Sequence, residues 1–420
     1  MVRESGLGRH YDESLKCVRC GLCQAVCPVF GADHREASVA RGKVQLVRAV
    51  LEERLDLSAS LRDRIYLCLN CGACTENCPS GVAVADIIAA ARGALLARLG
   101  QPAVERLLLR SLLAHPERLE MGATALALYE RTGLRWLTHK LGLLNLMPGS
   151  LATKENFIPA QLARQPARRR LPATTSPAAP KHRVAYFLGC LTNVLYPSLA
   201  ESVVEVLVRN GCQVVTAPDM LCCGLPHRSY GDVATAAKLE AHNTARLNAL
   251  KVEAIVTDCA TCGSTLKGYA DLEAPVFDVN EFLAEKVALV APTSEQPLRV
   301  TYHDSCHLGR GQGVRAAPRQ LLQAAPGVEL VEMPEADRCC GGAGTFSLMH
   351  YEHSMAILDR KMANAAGTEA EVLATGCPSC RMQLEHGLTR LATQQPGSPR
   401  PREVLHPVEL LARAYRMDGR

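Results

Sequence analysis

The sequence predicts an α + α/β chain, with a helical module at its start followed by two repeated α/β units built on parallel sheets. Three observations predict it. Apolar residues recur at helical spacing through the first part of the chain, the second half alternates buried-strand runs with helical runs, and the strand phrase Arg183-Val-Ala-Tyr-Phe-Leu-Gly-Cys190 begins again as Arg299-Val-Thr-Tyr-His-Asp-Ser-Cys306. A length of 420 residues exceeds what one hydrophobic core organises, so several domains are expected. Texture divides them into a Cys-dense helical module at 1–100, a Leu- and Arg-rich helical segment at 101–158, a Pro/Arg-rich linker at 159–181, and two repeats at 182–298 and 299–420.

In the first module Val44, Val47, Val50, Leu51 and Leu55 form one apolar stripe, and Val84, Ile87, Ile88, Ala91 and Leu95 form another. Both cysteine groups of this module therefore lie at the mouths of helices. The middle segment repeats the pattern with Leu107, Leu108, Leu112 and Leu113, then with Leu134, Leu137, Leu141 and Leu144, as expected of amphipathic helices packing on the protein's own core or on a partner subunit. The linker carries five prolines and the basic run Arg168, Arg169 and Arg170, a composition that predicts a solvated spacer. Beyond it, strands are expected at 183–190, 254–259, 299–306, 328–333 and 371–377, with helices at 199–208, 315–325 and 353–365.

Charge excludes more than it identifies. Lys plus Arg number 47 and Asp plus Glu 42, and the resulting +5 supports no dedicated nucleic-acid binder. The polar start lacks the apolar run of a secretory signal, and no window has the length and apolarity of a transmembrane segment. A cytoplasmic location, or a peripheral one on the inner face of the membrane, is expected. Neither a Gly-Lys-Ser/Thr phosphate loop nor GxGxxG occurs, so any nucleotide or flavin belongs on a partner.

The 19 cysteines carry the chemical signal. Cys17, Cys20, Cys23 and Cys27 form C-x2-C-x2-C-x3-C-Pro, repeated 51 residues later by Cys68, Cys71, Cys74 and Cys78. This run binds two [4Fe–4S] cubanes: three closely spaced thiolates wrap one cluster, and the fourth, carried away from its neighbours, serves the other. One centre is thus expected on Cys17, Cys20, Cys23 and Cys78, and the second on Cys68, Cys71, Cys74 and Cys27. Structural zinc favours paired C-x2-C elements, and disulfides suit neither the spacing nor the compartment. The long helical connection between the runs resembles the α-helical ferredoxin module of respiratory-chain subunits.

A second system follows. Cys190, the pair Cys222-Cys223, and Cys259 with Cys262 are matched by Cys306, the pair Cys339-Cys340, and Cys377 with Cys380, at an offset of 116 to 118 residues. The glycine after each adjacent pair, Gly224 and Gly341, permits a positive φ in a turn that aims both thiols at one place. Five thiolates per copy exceed the four of a cubane or zinc site. This pattern resembles the CCG-domain family, whose relatives of the heterodisulfide reductase B subunit hold a non-cubane [4Fe–4S] cluster on it. The resemblance implies one such cluster on Cys190, Cys222, Cys223, Cys259 and Cys262, and another on Cys306, Cys339, Cys340, Cys377 and Cys380. His303 and His307 flank a ligand, where they could tune a cluster or move protons, or simply pack at the domain interface. Cys212 is expected to be a small buried hydrophobe, and Cys340-Gly-Gly-Ala-Gly344-Thr345 a turn around the cluster.

Over its whole length the chain resembles the iron–sulfur subunits of glycolate oxidase, most closely at Arg338–His350 and Leu358–Met362. The resemblance implies an oxidoreductase subunit for electron transport: an FAD-binding hydroxy-acid oxidase subunit would oxidise glycolate or D-lactate, and this chain would carry the electrons to a quinone or another acceptor. The substrate site would lie on that other subunit. The alternative is a heterodisulfide-reductase-like subunit that reduces a disulfide at a non-cubane cluster, an idea favoured by the ten intact cysteines of the repeats.

Overall fold

The computed structural model describes residues 6–132, 134–140, 163–217, 219–293 and 297–419. The helix Ala40–Leu51 buries Ala40, Lys43, Val44, Val47, Val50 and Leu51 along one stripe, and the helix Val84–Leu99 buries Val84, Ile87, Ile88, Ala91, Arg92 and Leu95. Their apolar members share a core with Ile65 and Tyr66 of the helix Ala59–Tyr66. Leu55 departs from expectation, lying past the end of its helix and 43% exposed.

Two sheets follow. The first contains β1 (Thr174–Thr175), β2 (His182–Tyr186), β3 (Cys212–Val215), β4 (Ala254–Thr257) and β5 (Val276–Asp278) in the order β1-β3-β2-β4-β5. The second contains β6 (Leu298–His303), β7 (Val328–Leu330), β8 (Val372–Thr375) and β9 (Glu403–Leu405) in the order β7-β6-β8-β9. Only β1 runs antiparallel, so without it the two sheets have one topology. Register repeats too, with Val184 opposite Ala254 and Val300 opposite Val372. The central strands β4 and β8 are buried at every position, as a sheet covered on both faces requires, which is why they read as unbroken apolar runs.

Topology then decides where chemistry can sit. The chain leaves β2 towards β3 on one side and leaves β4 towards β5 on the other, so a crevice opens at the carboxyl ends of these two strands; β6 and β8 repeat it. The repeats also share a core, in which Val203, Val206 and Leu207 of the helix Pro197–Arg209 meet Val408, Leu411 and Tyr415 of the helix Pro407–Met417.

Between the module and the repeats, Ala103–Arg106 continues as a π-helical stretch over Leu107–Leu113, followed by the helices Pro116–Arg131 and Leu134–Lys140. Leu109 is fully buried, whereas Leu107 is 57% exposed. Leu141 and Leu144 lie outside the described residues. The basic run is no solvated spacer. Ala167–Arg170 forms a helical turn with Ala167 fully buried, and Arg168 donates from Nη2 to the Met220 carbonyl at 2.7 Å. The cause is Glu120, a buried carboxylate that needs positive charge: the guanidinium of Arg168 lies 3.8 Å from it and that of Arg169 3.6 Å. Of the three arginines, Arg169 keeps the most exposed side chain.

Candidate metal centres

In the helical module Cys17, Cys20, Cys23 and Cys78 line one cavity, and Cys27, Cys68, Cys71 and Cys74 line a second, with Cys74 bordering both. Gly21 and Gly72 adopt φ of +88° and +74°, turning the chain after the second cysteine of each run into the short helices Leu22–Val26 and Ala73–Glu76, which carry the third. Cys27 caps the next helix, Pro28–Asp33, its Sγ accepting from the Phe30 amide at 3.5 Å. Burial pushes the Cys27 thiol up to about 11.

All ten cysteines of the repeats gather at the crevices. Cys190 and Cys306 open helices after β2 and β6, Cys259 and Cys377 cap helices after β4 and β8, and Cys262 and Cys380 lie in the first turns of those helices. Gly224 and Gly341 take the expected positive φ, +82° and +87°. A Cβ on Gly341 would stand 2.8 Å from the Ser354 carbonyl oxygen, so glycine is required there for space as well. One cavity of about 290 Å³ touches all ten thiols and also Cys68. Leu108, Leu112, Leu113 and Leu119 of the middle segment form its apolar wall.

The thiols stand in succession, each close enough to the next to shift its ionisation: Cys190, Cys222, Cys223, Cys262 and Cys259 in the first repeat, and Cys306, Cys339, Cys340, Cys380 and Cys377 in the second. Two further approaches link the groups. Cys259 reaches Cys377 across the repeats, and Cys339 reaches Cys71 of the helical module. One line of sulfur therefore runs from the module through the second repeat to the first.

The surroundings fit iron–sulfur clusters. Thiolate is the soft donor that such clusters select, and its negative charge in a dry site needs compensation. Three buried cations stand beside the thiols, and among the described residues none is paired with a carboxylate. Lys43 donates to the Ser38 carbonyl beside Cys27 and Cys68; Arg92 donates to the carbonyls of Ser229 and Cys68 at 2.6 Å each; Lys361 donates to those of Glu335 and Ala336 near Cys339 and Cys340. Buried Lys and Arg are seldom tolerated unpaired, and anionic cluster cores held by thiolates would supply the missing charge. None of the three was singled out from the sequence. The available signal was a cation on a core-facing stripe, as Lys43 is between Ala40 and Val47.

His303 is fully buried behind the second set, and one ring nitrogen lies within 4.8 Å of Sγ of both Cys340 and Cys380. His307 lines the shared cavity facing Cys377 and Cys223, and burial lowers its imidazole. Cys212 is fully buried in β3, where burial raises its thiol to about 12, in keeping with a small core residue.

A fold and a cysteine set of this kind define a chain with a dicluster ferredoxin module joined to two CCG domains, and comparison with known proteins finds those parts in that order. The 4Fe-4S dicluster domain matches residues 13–82, the linker region of the glycolate oxidase iron-sulfur subunit matches 100–158, and the cysteine-rich CCG domain matches 184–267 and 300–385. A probable glycolate oxidase iron-sulfur subunit of Bacillus subtilis is 32% identical over 90% of this chain and 90% of its own length. The glycolate oxidase iron-sulfur subunit of Escherichia coli is 26% identical over 91% of this chain and 93% of its own. Lactate utilization protein A of Oceanobacillus iheyensis is 32% identical over 48% of this chain and 88% of its own. The chain belongs to the family of glycolate oxidase iron–sulfur subunits. No helix among the described residues is long and apolar enough to cross a membrane.

Proposed function

We propose that this chain is the electron-carrying subunit of a hydroxy-acid dehydrogenase, taking electrons from an FAD-binding partner that oxidises glycolate or D-lactate and delivering them to a quinone or another acceptor. The line of thiols from Cys71 to Cys190 is the observation that carries the reading. Clusters bound along it would move electrons singly, whereas a flavin takes them in pairs. In this reading Cys17, Cys20, Cys23 and Cys78 hold one cubane and Cys27, Cys68, Cys71 and Cys74 the other, and each repeat holds a non-cubane cluster on its five cysteines. Lys43, Arg92 and Lys361 offset the charge of those centres, and Leu108, Leu112, Leu113 and Leu119 keep water from the shared cavity.

The test is reconstitution. Anaerobically purified protein is mixed with a flavoprotein hydroxy-acid oxidase, and glycolate or D-lactate is added. Bleaching of the iron–sulfur absorption and paramagnetic signals from the clusters are expected only when both subunits and a substrate are present. A colourless chain without iron or acid-labile sulfide, or one that no such flavoprotein reduces, overturns the proposal.

A second reading is favoured by the cavity itself, which places two complete thiol sets around a single apolar-walled space. A disulfide bound there would be reduced by the chain alone from an artificial electron donor. Turnover of a thiol heterodisulfide by the isolated subunit selects this reading; inertness towards it leaves the first.

A further inference from the structure

The two repeats present the same five thiols but differ in one nitrogen. Their strand phrases align Tyr186 with Tyr302 and Cys190 with Cys306, which puts Phe187 opposite His303. Both side chains are fully buried at the end of the central strand. Phenylalanine is the apolar solution for such a place. A buried imidazole has two nitrogens to satisfy, and the structure satisfies one.

That one is Nδ1, which donates to the Ala336 carbonyl at 3.2 Å. The carbonyl is itself anchored by Lys361 Nζ and by the Asp304 amide. The bond sets the tautomer: with its proton on Nδ1, the neutral ring keeps a lone pair on Nε2. Nε2 is buried without a hydrogen bond of normal geometry, and the group the ring lies beside is the Cys340 thiol. The ring stands against Cys340 and Cys380, and among the described residues these three are the one group of three or more possible metal ligands whose ligand atoms all lie within 4.8 Å of one another.

We propose that His303 ligates iron through Nε2 in the cluster of the second repeat, so that this centre has mixed sulfur and nitrogen ligation while its counterpart in the first repeat is bound by sulfur alone. The proposal rests on the reading that each repeat holds a cluster. It gives the orphaned nitrogen a partner, and it accounts for a histidine where the same fold elsewhere in the chain uses phenylalanine. His303 would join the five thiolates rather than replace one, and as a neutral donor it adds no negative charge, whereas a thiolate in its place would lower the reduction potential of the centre.

The experiment uses the whole chain, purified anaerobically after growth on 15N-histidine, reduced stepwise and studied by pulsed electron paramagnetic resonance. Iron and acid-labile sulfide are counted first, and a preparation with only the two cubanes overturns the underlying reading before any variant is made. With the repeats loaded, one centre is expected to show the strong nitrogen coupling of direct ligation. His303→Phe, which copies the first repeat, should abolish that coupling while the other three centres remain. His303→Cys should keep the centre and shift its midpoint potential downward, which guards against a variant that merely unfolds. A weak, remote coupling in the wild-type protein, or a strong one that survives His303→Phe, overturns ligation by His303.

Discussion

In the first repeat the hydroxyl of Tyr186 donates to Asp258 at 2.8 Å, and Thr192 donates to the same carboxylate at 2.6 Å. In the second, Gly376 stands where the aspartate would be, and Tyr302 keeps the ring but finds no partner for its hydroxyl. A second exchange lies behind the adjacent cysteines. Asn243 braces the first pair, accepting from the Leu221 amide at 2.9 Å and donating to the Cys222 carbonyl at 3.1 Å, whereas the matching residue of the second repeat is the buried cation Lys361. The thiols are placed by strand ends and helix starts, which the repeats share; the charge around them is set by neighbours, which the repeats do not. A buried acid next to Cys259, which also faces Cys377 across the repeats, disfavours an added electron, and a buried cation near Cys339 and Cys340 favours one. The second repeat is therefore expected to be reduced before the first, and it is the one that Cys71 of the helical module approaches.

The largest effect should come from cutting the line of sulfur at unequal places. Cys339→Ser removes the thiol beside Cys71 and should stop electrons from passing between the helical module and both repeats, besides costing the second repeat its cluster. Cys222→Ser, its counterpart, should cost only the first repeat's cluster and leave the second reducible through the module. Iron content and stepwise reduction measure both; equal loss in the two variants would erase the distinction. In the module the crossed assignment predicts that Cys78→Ser damages the centre built on Cys17, Cys20 and Cys23.

The module also docks differently on the two repeats. Against the first it fits by backbone: Gly231, at φ +86°, lies so close to the helix Val84–Leu99 that a Cβ there would stand 2.6 Å from the Arg92 carbonyl carbon. Gly231→Ala combines a left-handed φ with a backbone collision, and about 2–4 kcal/mol of destabilisation is expected, read as a fall in the thermal midpoint of the loaded protein. An unchanged midpoint would mean that this contact is loose.

The charge difference can be narrowed from either side. Lys361→Met removes one donor from each of the Glu335 and Ala336 carbonyls, which keep their bonds from the Arg338 amide and from Asp304 and His303, costing about 0.5–1.5 kcal/mol, and should lower the potential of the second centre alone. Asp258→Asn removes a carboxylate whose pKa burial raises to about 6, and should raise the potential of the first. If either substitution moves both centres equally, the field is shared across the cavity and the repeats are not electrostatically distinct.

Much of this was legible in the residues. The cysteine spacings named two fold types and matched the repeats, β2, β4, β6 and β8 announced themselves as largely apolar runs, and β7 as the alternation Val-Glu-Leu-Val-Glu-Met. What stayed hidden was short or contextual. β5 and β9 have three residues each and β1 has two, too few to show a period by themselves; β7 is as short, but Val331-Glu332-Met333 extends its alternation in the sequence. Arg168 looked like part of a spacer because its partner, Glu120, lies far back in the chain. Lys43, Arg92 and Lys361 sit on apolar stripes where a sequence reading counts hydrophobic residues and passes over the exception. Asp258 and Gly376 gain meaning only once the repeats are superimposed on one topology.

The smallest effect lies at the other docking face. There Glu76, from the turn between Cys74 and Cys78, meets Arg310 at 2.8 Å and Arg315 at 2.5 Å, and Arg310 also pairs with Asp337 at 2.6 Å. The Glu76 side chain is 49% exposed, so water and salt already screen it, and Glu76→Gln should cost no more than about 1 kcal/mol. Its influence should fall on docking instead: electron passage from the module to the second repeat should lose part of its dependence on ionic strength, because the screened pair is gone. Arg310→Met should be the more harmful partner change, since that side chain is only 10% exposed and its guanidinium also donates to the Asp337 carbonyl at 2.7 Å. A salt response that is the same in wild-type and Glu76→Gln protein would show that the apolar contacts of Val29, Leu67 and Leu69 with Phe346 and Ile357 hold this face by themselves.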